Sequence, residues 1–599
     1  VEARTIGKIG ELVVNDVVVI RFREGQGGFS APALAKIAAT RLKNAIDQNG
    51  TSAVISVRSG DPNLPAVVVG NETVISIPVP TIMGGKKRTR AARQRAVRAS
   101  ALSRAQGWAN AIRRAMSLPG LVIRNNGLVV PLGENRSLAI AGPARGPITV
   151  VAQNLATGGI KRVGVTVDQV KGTVTLSGIE VGRERLTLYR EGAVAEVNVA
   201  IRPYAALFEM PHTVTVTGTL APASLITRSA ILAAQRSVTL TPGAKMEVAT
   251  DRVVGKAIKP GQAETVAVPV KVTGFEMIPV ERKVFVSVVN REMPRTEAAS
   301  LLYSNNPEKV RIAQVLFAGR LAELPKTTRL LYHHQSDTEK NLLFRAELVN
   351  DSSVSVKVHI MGGDAGPERD TVWVGYRAAS DFVQAQESNV GFVVEIPAKS
   401  RLPLSSVRLP AKLTISGLMQ MQLLQGPAPL VRVLTESFPT RQTEMVFLPY
   451  PLDEPTASAT ATPPLSEHVY PNPSKVVSAE YSVGGSWTFL KFGRVPLASA
   501  VNPETVLHGN YGVQYEIAVD LKNPTDRPSI ARVVFEPSAG MAGGVFLIGG
   551  KRVEIPQIDM PREHTLATYS LAPGESKVVR IKTIPVSGSN YPATIIIRP

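Results

Sequence analysis

The chain contains no cysteine. This excludes disulfides, thiolate metal sites and cysteine nucleophiles, and it suits a bacterial protein exported to an oxidising compartment, where an unpaired thiol is a liability. Aromatic residues are only 5% and charged residues 19%, both low for a cytosolic enzyme. The seven histidines form no His-Glu-x-x-His or His-x-His pair, and no Gly-x-Ser-x-Gly elbow, P-loop or Gly-x-Gly-x-x-Gly fingerprint occurs. No enzymatic activity, metal or cofactor is therefore expected. No run approaches the ~18–20 consecutive apolar residues of a membrane span, so no transmembrane segment is expected. The first residues, Val1-Glu2-Ala3, read like a mature terminus left after signal-peptide removal. The expected location is extracytoplasmic, in the periplasm or at the cell surface.

What is present points to β-structure. Apolar residues make up 44% of 599 residues, enough for several cores. Valine, threonine, proline and glycine are prominent, a composition suited to many short strands and turns. The fold class expected is mainly β: tandem immunoglobulin-like β-sandwich domains preceded by a small α/β domain. Residues 1–120 read as that α/β domain. Asn15-Asp16 and Gly70-Asn71-Glu72 each join two valine-rich runs as hairpins. Helices are expected over 31–48, capped by Ser30, and over 89–116, stopped by Leu118-Pro119-Gly120. The first presents Ala33, Ile37, Leu42 and Ile46, the second Val97, Ala101, Trp108, Ile112 and Ala115. Residues 121–203 alternate in the spacing of an immunoglobulin-like sandwich. Residues 204–301 read as a further sandwich, with a short helix near 224–235, and residues 302–450 as another. Residues 451–475 hold six prolines in twenty-five positions and read as a linker. Residues 476–599 read as the last sandwich.

Few residues suggest chemistry. His333 and His334 are neighbours on an apparent strand, so their side chains take opposite faces; one is expected inside with a hydrogen-bond partner and the other outside. Asp364 to Asp370 lacks the spacing of a calcium loop and reads as a solvated surface loop. Asn350-Asp351-Ser352-Ser353 and Asn523-Pro524-Thr525-Asp526 follow similar strands and read as Asx-type turns, a sign of one sandwich used twice.

Charge is the exception. The net charge is +20, and between Thr73 and Gly133 there are eleven basic residues and no acidic one. Lys86, Lys87, Arg88, Arg90, Arg93, Arg95, Arg98, Arg104, Arg113 and Arg114 fall within twenty-nine residues, leading into and along the second helix. Like charges at i,i+4 cost a few tenths of a kcal/mol each, on the order of measured pair energies. With no acidic neighbour to relieve them, they are candidates for binding an anion or an acidic partner. Trp108 is the one aromatic among them and sits on the apolar stripe, so nucleic-acid stacking is not indicated.

Two resemblances add to this reading. Val129-Val130-Pro131-Leu132-Gly133, Gly178 before Ile179-Glu180-Val181-Gly182, and an alternating last strand resemble the immunoglobulin-like module of bacterial pilus-assembly and secretin-associated proteins. Over residues 302–599, five markers occur in order: Ser304-Asn305-Asn306-Pro307-Glu308, His333-His334, Gly485-Ser486-Trp487, His508 to Tyr515, and Leu521 to Pro528. These resemble an uncharacterised exported protein family known mainly from cyanobacteria, which implies export and surface location but no reaction. The N-terminal domain is similar to small extracytoplasmic α/β modules of unknown role. The expected function is a non-enzymatic, structural or assembly protein of the cell envelope or cell surface. Its tandem sandwiches would self-associate or bind other subunits or envelope proteins. The alternative is binding of a polyanion, either an anionic polysaccharide or lipid headgroups.

Overall fold

Asn15 (φ 51°) and Asp16 (φ 65°) both take the left-handed conformation and close the first hairpin, the geometry an Asn-Asp pair between two valine runs favours. The computed structural model describes residues 1–50, 53–84, 87–117, 120–124, 127–142, 144, 146–153, 162–211, 213–438, 446–452 and 465–599. Lys86, His212, the Leu118-Pro119 helix stop and residues 453–464 of the proline-rich segment lie outside the described residues. The fold is mainly β, with 51% of residues in strands against 15% in helices. The described chain divides into two compact units. The first is Val1–Ala206 with Thr241–Lys245 and Thr273–Val280; the second is Leu207–Leu240, Met246–Val272 and Glu281–Pro599.

The first unit begins with one pattern used twice, three antiparallel strands followed by a helix. β1 (Glu2–Ile6), β2 (Ile9–Val14) and β3 (Val17–Phe22) precede α1 (Ala31–Asn49); β4 (Ile55–Arg58), β5 (Ala66–Val69) and β6 (Glu72–Ser76) precede α2 (Lys87–Met116). Ser30 accepts a hydrogen bond from the Ala33 amide and Gly50 closes α1 at φ 74°. The two helices and two sheets share one core. On α1 that core takes Leu34, Ala35, Ala38, Leu42 and Ala45, whereas Ile37 and Ile46 are half-buried. Small alanines let the helix sit close to the sheet, so the stripe is narrower and displaced from the one read from the large residues.

The rest of this unit, from Leu121, is a seven-strand sandwich. One sheet contains Leu128–Pro131, Thr149–Gln153, Gly182–Arg190 and Ala193–Arg202; the other contains Asn135–Leu138, Val163–Asp168 and Thr173–Gly178. Leu128–Pro131 runs parallel to the last strand, and the inward-facing alternate residues fill a separate core.

In the second unit the strands of segments 204–301 and 302–450 form one continuous sheet rather than two sandwiches. The joint is Val214–Thr217, which pairs with Val280–Asn290 on one side and Gly391–Ile396 on the other. α3 (Ala223–Arg236) packs Leu232 against the 302–450 core. The wide sheet faces a five-stranded sheet, Gln314–Arg320, Leu342–Asn350, Ser400–Leu409, Leu430–Ser437 and Tyr450–Pro451, across that core. Its other face carries α4 (Thr371–Ser388) and meets the 476–599 sandwich, with Leu301, Leu331, Leu418, Tyr376 and Phe382 in that sandwich's core.

Three departures from the sequence reading follow from this packing. Residues 465–475 are not a linker: Val469–Pro471 pairs with Ala298–Ser304 and Tyr470 is buried. Its prolines are tolerated because this is an edge strand, where a missing N–H costs no ladder bond. Asp364 to Glu368 is the end of a long strand, Val356–Glu368, not a free loop; Asp364 accepts from Ser405 Oγ at 2.6 Å and Asp370 caps α4 through the Trp373 amide at 2.9 Å. Finally, His333 and His334 do take opposite faces, but both are buried because both faces of their strand are covered.

Candidate functional site

α2 is held by small side chains. Ala101, Ala105, Ala109, Ile112 and Ala115 are buried, and Trp108 packs edge-on to Phe22 with ring centroids 5.7 Å apart. Polar ties fix both ends. Asn15 Nδ2 donates to the Ala115 carbonyl at 2.8 Å. The Gln94 side chain accepts from the Ile82 amide at 2.9 Å and donates to the Pro80 carbonyl at 3.2 Å. Over 30 residues the helix runs ~45 Å.

The arginines divide into two kinds. Arg98 Nε donates to Asn63 Oδ1 at 3.1 Å. Arg113 donates to Asn110 Oδ1 at 2.6 Å and to the Ile55 carbonyl at 3.1 Å, and Arg114 Nε to the Asn110 carbonyl at 3.4 Å. Arg90 lies 3.8 Å from Met83 Sδ. Arg93, Arg95 and Arg104 are exposed. Among the described residues none of these seven arginines makes an ion pair with a carboxylate. Lys87 and Arg88 lie on the first turn of α2.

Helical geometry arranges these charges around the buried stripe. At 3.6 residues per turn, Arg93 and Arg104 fall on one flank and Arg95 and Arg113 on the other. Between the flanks the outward side carries Ala92, Ala96, Ala99, Ser100, Ser103 and Gly107, and toward its C-terminal end Gln106, Asn110 and Arg114, all exposed. A Cβ at Gly107 would meet nothing within 4 Å. Over residues 92–103 the outward side is therefore low, with guanidinium groups standing on either edge. Such a surface offers charge and fork-shaped donors to carboxylate, sulfate or phosphate groups without obstructing their approach. The sequence marks the charges and the Asn15 turn, but not that Asn15 anchors α2, nor the anchors Asn63 and Gln94, which are isolated polar residues with no local pattern.

Elsewhere a few ionisable side chains are buried within the fold. Arg329 is fully buried; it donates to the Gly512 carbonyl at 2.7 Å and lies over the Phe382 ring at 5.3 Å, and burial pulls its pKa down to about 10. His334 makes hydrogen bonds with the Pro307 carbonyl (3.0 Å) and Ser304 Oγ (2.8 Å), and burial lowers its pKa to about 4. Neither ring nitrogen of His333 finds a partner among the described residues, and burial lowers it to about 3. Among the described residues no three histidine or acidic side chains gather to hold a metal ion.

No protein-family model matches the chain, and no curated protein matches it. Solved structures give only partial alignments. Domains 4 and 5 of the S-layer protein SbsC align at 16% identity over 23% of this chain and 56% of that one, with a TM-score of 0.12. The titin Ig tandem domains A164-A165 align at 12% identity over 29% of this chain and 98% of that one, TM-score 0.13. The tandem Ig repeats of Dlar align at 14% identity over 29% and 100%, TM-score 0.12. At such scores the mainly β architecture rests on the strands themselves.

Proposed function

We propose that this chain is a non-enzymatic structural or assembly protein of an extracytoplasmic surface, and that α2 docks it on an acidic neighbour. The observation carrying this reading is the pair of arginine flanks on α2, exposed and without carboxylate partners, on a helix whose other face is fixed in a core. A helix serving only as scaffold gains nothing from uncompensated repulsion along its length. The partner is a second subunit or an envelope protein bearing carboxylates. The low, alanine-rich outward side over residues 92–103 favours this, because it admits a close protein surface. An anionic polysaccharide or lipid headgroup is the second reading, favoured by the length of the charged strip. The tandem sandwiches supply reach and surface area.

The test is the triple reversal Arg93→Glu, Arg95→Glu and Arg104→Glu, which leaves the alanine stripe untouched. Sedimentation of the full chain should show loss of assembly, while retention on dextran sulfate, compared at two salt concentrations, reports the polymer reading. Assembly unchanged with dextran sulfate binding lost would transfer the site to a polymer. No change in either measurement would remove α2 from function.

A further inference from the structure

A second surface of the first unit carries a different kind of site. Among the described residues β1 is an edge strand, paired only with β2, and all five of its residues are exposed. A strand in this position presents a row of unused backbone N–H and C=O groups along its outer edge. The edge is not blunted by proline or by a bulge, and its register with β2 is unbroken from Glu2↔Val13 to Ile6↔Ile9.

Beside this edge lies a groove of about 470 Å³, walled by Ala3 and Thr5 of β1 and by Ala33, Lys36, Ala39 and Lys43 of α1. Its origin is local. Gly10 on β2 lets the start of α1 press onto the sheet, for a Cβ there would lie 2.2 Å from the Ala31 carbonyl oxygen. The helix is thus seated over β2, and β1, one strand further out, is left partly uncovered. The volume falls within the ~300–1,000 Å³ of ligand-binding clefts. Lys36 and Lys43 are exposed, two helical turns or ~10 Å apart, and among the described residues neither has an ion-pair partner. The acidic Glu2 at the groove's mouth is already paired with Arg4. The net field in the groove is therefore positive.

We propose that this groove is a peptide-binding site, in which an extended acidic segment of a partner chain adds to β1 as a fourth strand. Backbone hydrogen bonds to the free edge supply affinity. Alternate side chains of the added strand, pointing toward α1, place their carboxylates against Lys36 and Lys43. The site is separate from the α2 flanks and needs no contribution from them.

The experiment titrates the full chain with a fluorescein-labelled octapeptide of alternating glutamate and valine, and with its lysine–valine counterpart, reading anisotropy. Saturable binding of the acidic peptide alone is expected. Lys36→Glu with Lys43→Glu should weaken it at least tenfold, and Thr40→Trp, which intrudes on the groove from an exposed position, should do the same. Amide exchange at residues 2–6 should slow when the acidic peptide is bound. The α2 triple reversal should leave all of this unchanged. The proposal is overturned if the acidic peptide does not saturate the wild type, or if the α2 reversal abolishes binding while the lysine reversal spares it. It is equally overturned if residues 2–6 are already protected in the free protein in a concentration-dependent way, which would assign the edge to a second copy.

Discussion

Glu347 is fully buried and ringed by arginines: Arg432 Nε at 2.8 Å, Arg401 at 3.6 Å and Arg345 at 3.7 Å. Removing one partner of a buried ionic group leaves the others uncompensated, which typically costs about 3–5 kcal/mol. Glu347→Ala should lower unfolding stability by that order, measured by urea titration; a loss under 1 kcal/mol would mean that solvent reaches the cluster. The buried histidines set a pH dependence. His333, His334 and His359 have folded-state pKa values of about 3, 4 and 4, all pulled below 6.5 by burial. Below pH 6.5 the unfolded chain binds protons that the native state does not, so stability is full above 6.5 and falls as pH drops toward 4. The slope should be about 1.4 kcal/mol per pH unit for each histidine. Since His333 has no hydrogen-bond partner among the described residues, His333→Leu should remove one such contribution between pH 6.5 and 4 and leave the stability at pH 7.5 little changed. An unaltered slope would show that His333 is hydrated.

α4 is the element that sequence patterning missed, and the reason is its composition. It lies between the wide sheet and the 476–599 sandwich, with Val372, Tyr376, Ala379, Phe382 and Val383 along one helical stripe and Val374 buried on the opposite side. Its opening run Val372-Trp373-Val374-Gly375-Tyr376 is β-branched and aromatic and imitates a strand. α1, α2 and α3, each with one covered face, were readable to within two residues at either end. α4 also makes a close backbone approach, because a Cβ on Gly375 would lie 1.8 Å from the Ser587 carbonyl oxygen. Gly375→Ala should therefore destabilise by about 1–3 kcal/mol, the usual cost of overpacking, and should raise amide exchange in 585–590. An alanine variant as stable as wild type would show that this contact yields freely. The α2 charges were legible because sign and spacing are local properties. The β1 groove was not, since Lys36 and Lys43 resemble any solvated helix face until β1 is placed beside them.

At the scale of the molecule, two short turns read as alike in sequence are alike in structure. Asn350 donates to the carbonyls of Val354, Ile396 and Pro397 while accepting from Ser352. Asn523 does the same with Arg527, Leu571, Ala572 and Thr525. The network repeats bond for bond, which supports one sandwich used twice. What the sequence did not disclose is that the two copies share apolar residues, because long-range packing leaves no local trace. Leu331 and Leu418 belong to the wide sheet yet sit in the C-terminal core. Residues 207–599 should accordingly unfold in one cooperative transition by calorimetry, with the C-terminal sandwich expressed alone markedly less stable; two well-separated transitions would refute the shared core. The sandwich of residues 121–206 invites a mechanical question. Its first-sheet strand Leu128–Pro131 lies parallel to its last strand, Val199 beside Leu128 through Arg202 beside Pro131. Tension applied through the two ends of this sandwich pulls those neighbours in opposite directions along their length. All the bonds of the pair are then strained together instead of opening one after another, as they would in a hairpin peeled from its ends. Stretching single molecules should show this sandwich resisting extension until an abrupt rupture, and Val130→Pro, which deletes a backbone donor on that strand, should lower the rupture force if the pair is what resists.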